Sequence, residues 1–358
     1  MNWKKTIVYG NSYHPYGLDI MHGHSQNFNA DALITMMDLQ VFEPSQLLGT
    51  KWIPWTPIDH DNLPEIILQN VKQADHVIAM SKHGSDLLTA AGVENDYIPC
   101  GYDAEVYKPL DRAKAREDMK LPDDKFIVGM VAMNKGAPSR KAFHANIAAF
   151  AALKAKHPDC VMYVHTADGT RGGEMEYLPG YCAALGLSFG YSFSGKEQDK
   201  DVIFANQYGM ALGYEPDMMA KIYNSMDVLT SVTRGEGFGI PILEAQACGT
   251  PVIVGDWSAM SELCFSGWKV SKEEAEPIFT GLMAWQYQPH IAAIYTRMEE
   301  AYKMRGNTDY QKRAVKGAKP YEVNKVMETK WLPILAKIEK KLAEEKDKHL
   351  DNNLDILR

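Results

Sequence analysis

The densest chemistry in the chain lies in Thr233-Arg-Gly-Glu-Gly-Phe-Gly-Ile-Pro-Ile-Leu-Glu-Ala-Gln-Ala-Cys-Gly-Thr-Pro-Val-Ile-Val254. Gly235, Gly237 and Gly239 leave the backbone bare, so a ligand can approach main-chain N–H groups. If a helix starts there, its N-terminus favours anions and hydroxyl oxygens. Glu236 lies inside the Gly-rich loop, and Glu244 follows eight residues later, in the first turns of the expected helix, projecting toward the same opening. Two carboxylates so placed are good acceptors for vicinal hydroxyls, which sugars and riboses both offer. A Glu-x7-Glu spacing alone also fits a Gly-rich turn with two solvated glutamates. Its combination with Gly-Phe-Gly, Pro-Ile-Leu-Glu-Ala and Cys-Gly-Thr-Pro-Val selects the binding reading.

A second group is cationic. In Val131-Ala-Met-Asn-Lys-Gly-Ala-Pro-Ser-Arg-Lys-Ala-Phe143, Lys135, Arg140 and Lys141 fall between an apolar run and a helical pattern. An ordinary basic loop has the same composition, and the place between a strand and a helix tells against that reading. His14, His22 and His24 are read as scattered loop histidines, because no carboxylate or Cys joins them at ligand spacing.

These residues need elements to position them. Strands are expected over 6–9, 32–36, 52–55, 76–80, 126–131, 161–165, 228–231 and 251–254. Amphipathic stretches lie between them, such as 141–156 with Phe143, Ile147, Phe150 and Leu153 on one face. That alternation implies α/β layers around a mainly parallel sheet. Pro241 falls at a helix start and Gly249 at its left-handed stop. The charged, Pro-containing stretch 109–125 marks a domain boundary. Near the C-terminus Trp331, Leu332, Ile334, Leu335, Ile338 and Leu342 form a helical apolar stripe, followed by a Lys/Glu-rich end.

The bulk properties set limits. The chain has 358 residues, 46% of them hydrophobic, which suits two globular domains. Its net charge is −8 and no Lys/Arg run stands out, which argues against nucleic acid as the main partner. No apolar stretch reaches the length of a transmembrane helix, and the start of the chain reads as a strand rather than a secretory signal. Cys100, Cys160, Cys182, Cys248 and Cys264 include no Cys-x-x-Cys pair, so reduced thiols and a cytoplasmic location are expected.

The 233–254 segment resembles the donor-binding motif of glycosyltransferase family 4, retaining enzymes of the GT-B fold. The resemblance covers about residues 32–342 and is most specific over 135–262. It implies two Rossmann-like α/β domains facing a cleft, with a final helix crossing back to the first. Here the N-terminal domain (1–110) is reduced by a strand–helix unit or two, the nucleotide-sugar domain spans 111–320, and the returning helix spans 321–358. The family pattern puts Glu236 on the transferred sugar, Glu244 on the ribose, and the amides of Gly237, Phe238 and Gly239 near the sugar. Lys135 and Lys141, with Arg140 beside them, match the family's contacts to the donor diphosphate, although Asn134-Lys135 stands where Gly-Arg is usual. In Trp52-Ile-Pro-Trp-Thr-Pro-Ile-Asp-His-Asp61, His60 matches a histidine close to the transferred sugar, with Asp59 and Asp61 as alternatives.

The implied reaction moves a hexose-type sugar from a nucleotide diphosphate to a hydroxyl on a glycan, glycoprotein or glycolipid, with retention. The resemblance requires neither metal nor separate cofactor, the nucleotide sugar being a substrate. Two rival readings share the fold: a sugar-nucleotide epimerase, and a nucleotide-sugar-binding protein without catalysis.

Overall fold

The structure is a computed structural model that describes residues 2–3, 6–10, 12–42, 49–193 and 199–356. The chain divides into two compact units. One comprises Met1–Ile58, Asn62–Pro99 and Lys325–Arg358; the other comprises Asp59–Asp61 and Cys100–Asn324.

In the first unit, β1 (Asn2–Trp3) and β2 (Thr6–Ile7) form a two-stranded antiparallel ribbon. The expected strand at 6–9 is therefore shorter than its apolar run and stands outside the parallel sheet. That sheet has four strands in the order β3 (Leu33–Met36), β4 (Trp52–Thr56), β5 (Ile78–Ala79) and β6 (Asp96–Tyr97). All its neighbouring pairs are parallel. Side chains alternate between its two faces. Trp52, Val77 and Ala79 pack in one cluster with Ile67 and Val71 of helix Glu65–Val71 and Leu88 of helix Lys82–Ala90. Ile53, Ile78 and Ile98 pack instead with Val326 and Ile338, and Trp55, Trp331, Ile334 and Leu342 close around them. The Trp55 and Trp331 rings meet edge to face at 5.1 Å. The expected C-terminal helix is Leu332–Ile356, entered through a π-turn at Met327–Trp331.

The second unit holds a seven-stranded parallel sheet. Its strands are β7 (Phe126–Val131), β8 (Cys160–His165), β9 (Phe189–Tyr191), β10 (Val202–Phe204), β11 (Val228–Ser231), β12 (Val252–Gly255) and β13 (Gly267–Val270). Their spatial order is β13-β12-β11-β7-β8-β10-β9, every pair parallel. The central strands read as apolar runs because helices cover both faces of such sheets. Strand order reverses between β7 and β11, and ligands of open α/β sheets bind outside the carboxyl ends at such a switch point. A hairpin of β14 (Ala275–Phe279) and β15 (Trp285–Pro289) follows.

All five cysteines are free, and four of them are buried. Among the described residues no helix is long and apolar enough to cross a membrane.

Candidate functional site

Two loops leave the switch point. The first runs from the end of β7 to helix Phe143–Lys156 and is held by buried polar groups. Asn134 donates through Nδ2 to Ala167 O and Glu176 O, and its Oδ1 accepts from Glu176 N. Glu176 Oε1 in turn accepts from Ser139 N at 3.0 Å, and Gly136 N donates to Glu174 O. The helix that follows carries Asn146, fully buried, whose amide donates to Ala142 O and Val232 O and accepts from Thr230. That one side chain ties the loop after β7 to the loop after β11.

The second loop runs from Val232 to Gly239. Trp257 Nε1 donates to Thr233 O and Arg234 O, and Glu236 N donates to Ser258 Oγ at 3.0 Å. Gly235 has no room for a side chain, since a Cβ there would lie 2.0 Å from Asp59 O. Gly239, at φ +106°, opens helix Ile240–Ala247 in a left-handed conformation, with Pro241 in the first turn. The helix ends as expected, with Gly249 at φ +86°.

The loops bring charges together. Lys141 Nζ lies 2.7 and 2.8 Å from the two carboxylate oxygens of Glu236. Arg140 Nη1 lies 3.5 Å from Glu236 Oε2 and donates to Gly235 O, while its Nε lies 3.3 Å from Asp59 Oδ2. Asp59 Oδ1 is 2.7 Å from His60 Nδ1. Burial alone would push the Glu236 carboxyl up, but the charges of Lys141 and Arg140 overcome it and hold the group below its ordinary value. Asp59 behaves alike: burial raises it, and the His60 hydrogen bond and Arg140 outweigh the burial. Both carboxylates are therefore ionised at neutral pH and act as acceptors.

Of the residues expected from sequence, Glu236, Lys141, Arg140, Asp59 and His60 form one cluster. His60 is buried, and its Nε2 lies 3.1 Å from Thr280 Oγ1, whose proton goes to Ala284 O. Both ring nitrogens thus face protein groups. Asp61 sits beside them, accepting from Tyr287 OH at 2.7 Å. Lys135 is exposed and forms no ion pair with the described residues. The Phe238 ring is buried and packs toward Tyr321, which leaves its main chain as the part available at the loop. Glu244 is not bonded to the Glu236 cluster and accepts instead from Tyr223 OH at 2.8 Å. Burial raises its carboxyl above the ordinary value, although the Tyr223 and Tyr107 hydroxyls oppose the shift.

His22 and His24 are not loop residues: both lie on helix Met21–Phe28. His22 meets Thr50 and Gln26, and His24 stacks on Tyr9 at 4.2 Å. Among the described residues no group of three or more His, Cys, Asp or Glu could hold a metal ion. Sequence reasoning did not find Asn134, Asn146, Glu176 or Thr280. Only Asn146 carried a signal, as a polar residue among the apolar positions Phe143, Ile147 and Phe150.

Known proteins resemble parts of this chain in sequence and most of it in fold. Residues 126–282 match the family described as Glycosyl transferases group 1. A D-inositol 3-phosphate glycosyltransferase of Stackebrandtia nassauensis is 29% identical over 173 residues, covering 47% of this chain and 34% of that protein. The chain thus spans about a third of that relative's length. Sucrose-phosphate synthase from Thermosynechococcus elongatus superposes with a TM-score of 0.65 at 14% identity, covering 92% of this chain and 77% of its own. HepE of Anabaena, solved with UDP-glucose, gives 0.60 at 18% identity, covering 96% and 86%. At such identities the structural likeness establishes the fold, which is GT-B. Over residues 126–282 the chain is therefore similar to the glycosyl transferases group 1 family.

Proposed function

We propose that the protein is a retaining glycosyltransferase that moves a hexose-type sugar from a nucleotide diphosphate sugar to a hydroxyl acceptor. The observation that carries this reading is the Glu236–Lys141–Arg140 cluster at the carboxyl ends of β7 and β11. When the bond from the sugar to the diphosphate breaks, negative charge collects on the leaving oxygen. Fixed cations positioned in advance stabilise that charge without the reorganisation that water would require. Lys141 and Arg140 supply them, and Lys135 adds charge on the same loop.

Glu236, held ionised by those cations, accepts hydrogen bonds from the sugar hydroxyls and orients the ring. The amides of Gly237, Phe238 and Gly239, at the start of helix Ile240–Ala247, face the same ligand. Glu244 takes the ribose hydroxyls. His60, oriented by Asp59 and Thr280, lies near the transferred sugar. In retention the leaving diphosphate oxygen takes the acceptor's hydroxyl proton on the face where the new bond forms. The acceptor is a glycan or glycoconjugate, and no resident metal or separate cofactor takes part.

A thermal-shift screen against nucleoside diphosphates and their sugars tests the donor half. A ligand at 100 times its Kd stabilises by about 2.7 kcal/mol, which is readily seen. Product analysis with the stabilising nucleotide sugar and a hydroxyl acceptor tests the transfer. No stabilisation by any nucleotide sugar removes the reading, and a rearranged donor without transfer makes the protein an epimerase.

A further inference from the structure

The β14–β15 hairpin presents an aromatic surface whose position ties it to the site. Cross-strand register places Phe279 opposite Trp285 and Pro277 opposite Tyr287 on one face, with Ile278 and Gln286 on the other. The Phe279 and Trp285 rings lie 4.9 Å apart, and they are 56% and 42% exposed. Single exposed apolar side chains are ordinary, but two large rings side by side forgo burial that a ligand can supply.

The hairpin is fastened to the segments that carry the charged cluster. Thr280, next to Phe279, meets His60 Nε2 at 3.1 Å. Asp61 N donates to Trp285 O at 2.8 Å, Tyr287 N donates to Arg234 O at 3.1 Å, and the Tyr287 hydroxyl donates to Asp61 Oδ2. Lys272 pairs with Asp61 and lies over the Tyr287 ring at 5.3 Å. An apolar ring surface is thus bordered by a carboxylate and an ammonium. A pyranose has the matching shape: a face of C–H groups, weakly positive, and a rim of hydroxyls. Aromatic faces are negative and attract such hydrogens, while the carboxylate accepts from the rim.

We propose that Phe279 and Trp285 form the binding platform for a pyranoside acceptor, with Asp61 accepting from its hydroxyls. The assignment rests on the transferase reading of the neighbouring site and gives its acceptor a chemical class and a location in the second unit.

Saturation-transfer NMR with the full chain tests it, using methyl glycosides of glucose, galactose, mannose and N-acetylglucosamine as probes. The wild type should saturate the C–H protons of at least one glycoside, and F279A, W285A and the double variant should lose that signal. With the stabilising nucleotide sugar present, the double variant should raise the KM for that glycoside about tenfold or more while leaving kcat and the affinity for that nucleotide sugar unchanged. Wild-type saturation absent for every glycoside, or retained in the double variant, overturns the platform whether or not a nucleotide sugar binds. So does a concentration-dependent dimer that the double variant abolishes without any glycoside signal, since the face would then bind a second copy. Failure of the wild type to bind any nucleotide sugar, with the glycoside signal intact, removes the transferase reading and leaves the platform standing.

Discussion

The ammonium of Lys141 sits between the two carboxylate oxygens of Glu236, at 2.7 and 2.8 Å, although the residues are 95 positions apart in the chain. The pair is largely buried, and the Lys141 and Arg140 charges outweigh burial to hold the Glu236 carboxyl below its ordinary value. A diphosphate arriving at this loop would share the Lys141 charge with Glu236, which makes Lys141 more valuable as leaving-group charge develops. Lys141→Ala should therefore lower kcat more than donor affinity. Removing a positioned stabiliser of this kind costs about 10²–10³ in kcat. Steady-state kinetics check it, and a variant with the wild-type kcat would take the loop away from the diphosphate.

Glu244 illustrates the opposite case. Burial raises its carboxyl above the ordinary value, so the ionised form is less comfortable folded than unfolded. A raised acid contributes stability below its unfolded pKa of about 4.3 and loses it as pH rises through the folded value. Glu244→Gln should accordingly raise Tm at pH 8 and leave it unchanged at pH 4, by about 2–4 °C for each kcal/mol recovered. The same change should weaken nucleoside diphosphate binding, because a charged acceptor of ribose hydroxyls contributes about 1.5–3 kcal/mol. Calorimetry with the diphosphate alone decides the ribose assignment, and unchanged affinity would sink it.

Gly235→Ala should damage both folding and activity. The new Cβ would lie 2.0 Å from the Asp59 carbonyl oxygen, which is backbone and cannot swing aside. Overpacking of this sort costs about 1–3 kcal/mol. Gly281→Ala provides the control, since a Cβ there meets nothing within 4 Å. Melting curves of the two variants should separate clearly, and equal values would show that the Asp59 segment yields easily.

Activity should persist in excess chelator, because the diphosphate charge is assigned to Lys141, Arg140 and Lys135. Complete loss on adding EDTA, restored by magnesium or manganese, would contradict that assignment.

Ile338→Ala tests the role of the C-terminal helix in the first unit. Ile338 is 5% exposed and packs with Ile53, Ile78 and Ile98. Truncating a buried isoleucine costs about 2–5 kcal/mol. Limited proteolysis should then cut residues 62–99 faster than in the wild type, and deletion of 321–358 should do so more strongly. Equal resistance in the deletion would make the helix an appendage.

How far the sequence disclosed this arrangement depended on the range of the forces involved. Phe126–Val131 was legible because a strand buried on both faces reads as an apolar run. Helix Ile240–Ala247 was legible from local signals, Pro241 at its start and Gly249 beyond its end. Asp96–Tyr97 was not, being two residues whose strand character comes only from pairing with Ile78–Ala79. The β14–β15 hairpin was hidden by Pro277 and Pro289, which argue against strands unless they lie at an edge or end. Each charged loop could be named separately, but the meeting of Lys141 with Glu236 is tertiary. The Asn134–Glu176 clamp had no local signature at all, since its geometry exists only once β7 and β8 are side by side.

The free cysteines have a practical consequence for spectroscopy. Burial pushes the thiols of Cys100, Cys160 and Cys182 up to about 12 and that of Cys264 to about 11, and raises Cys248 as well. Alkylating dyes react with the thiolate, which these groups scarcely form at neutral pH. Lys135, by contrast, is exposed on the loop after β7. A Lys135→Cys variant would take a maleimide dye selectively without prior removal of the five native cysteines, placing a fluorescent reporter on the loop that carries Arg140 and Lys141.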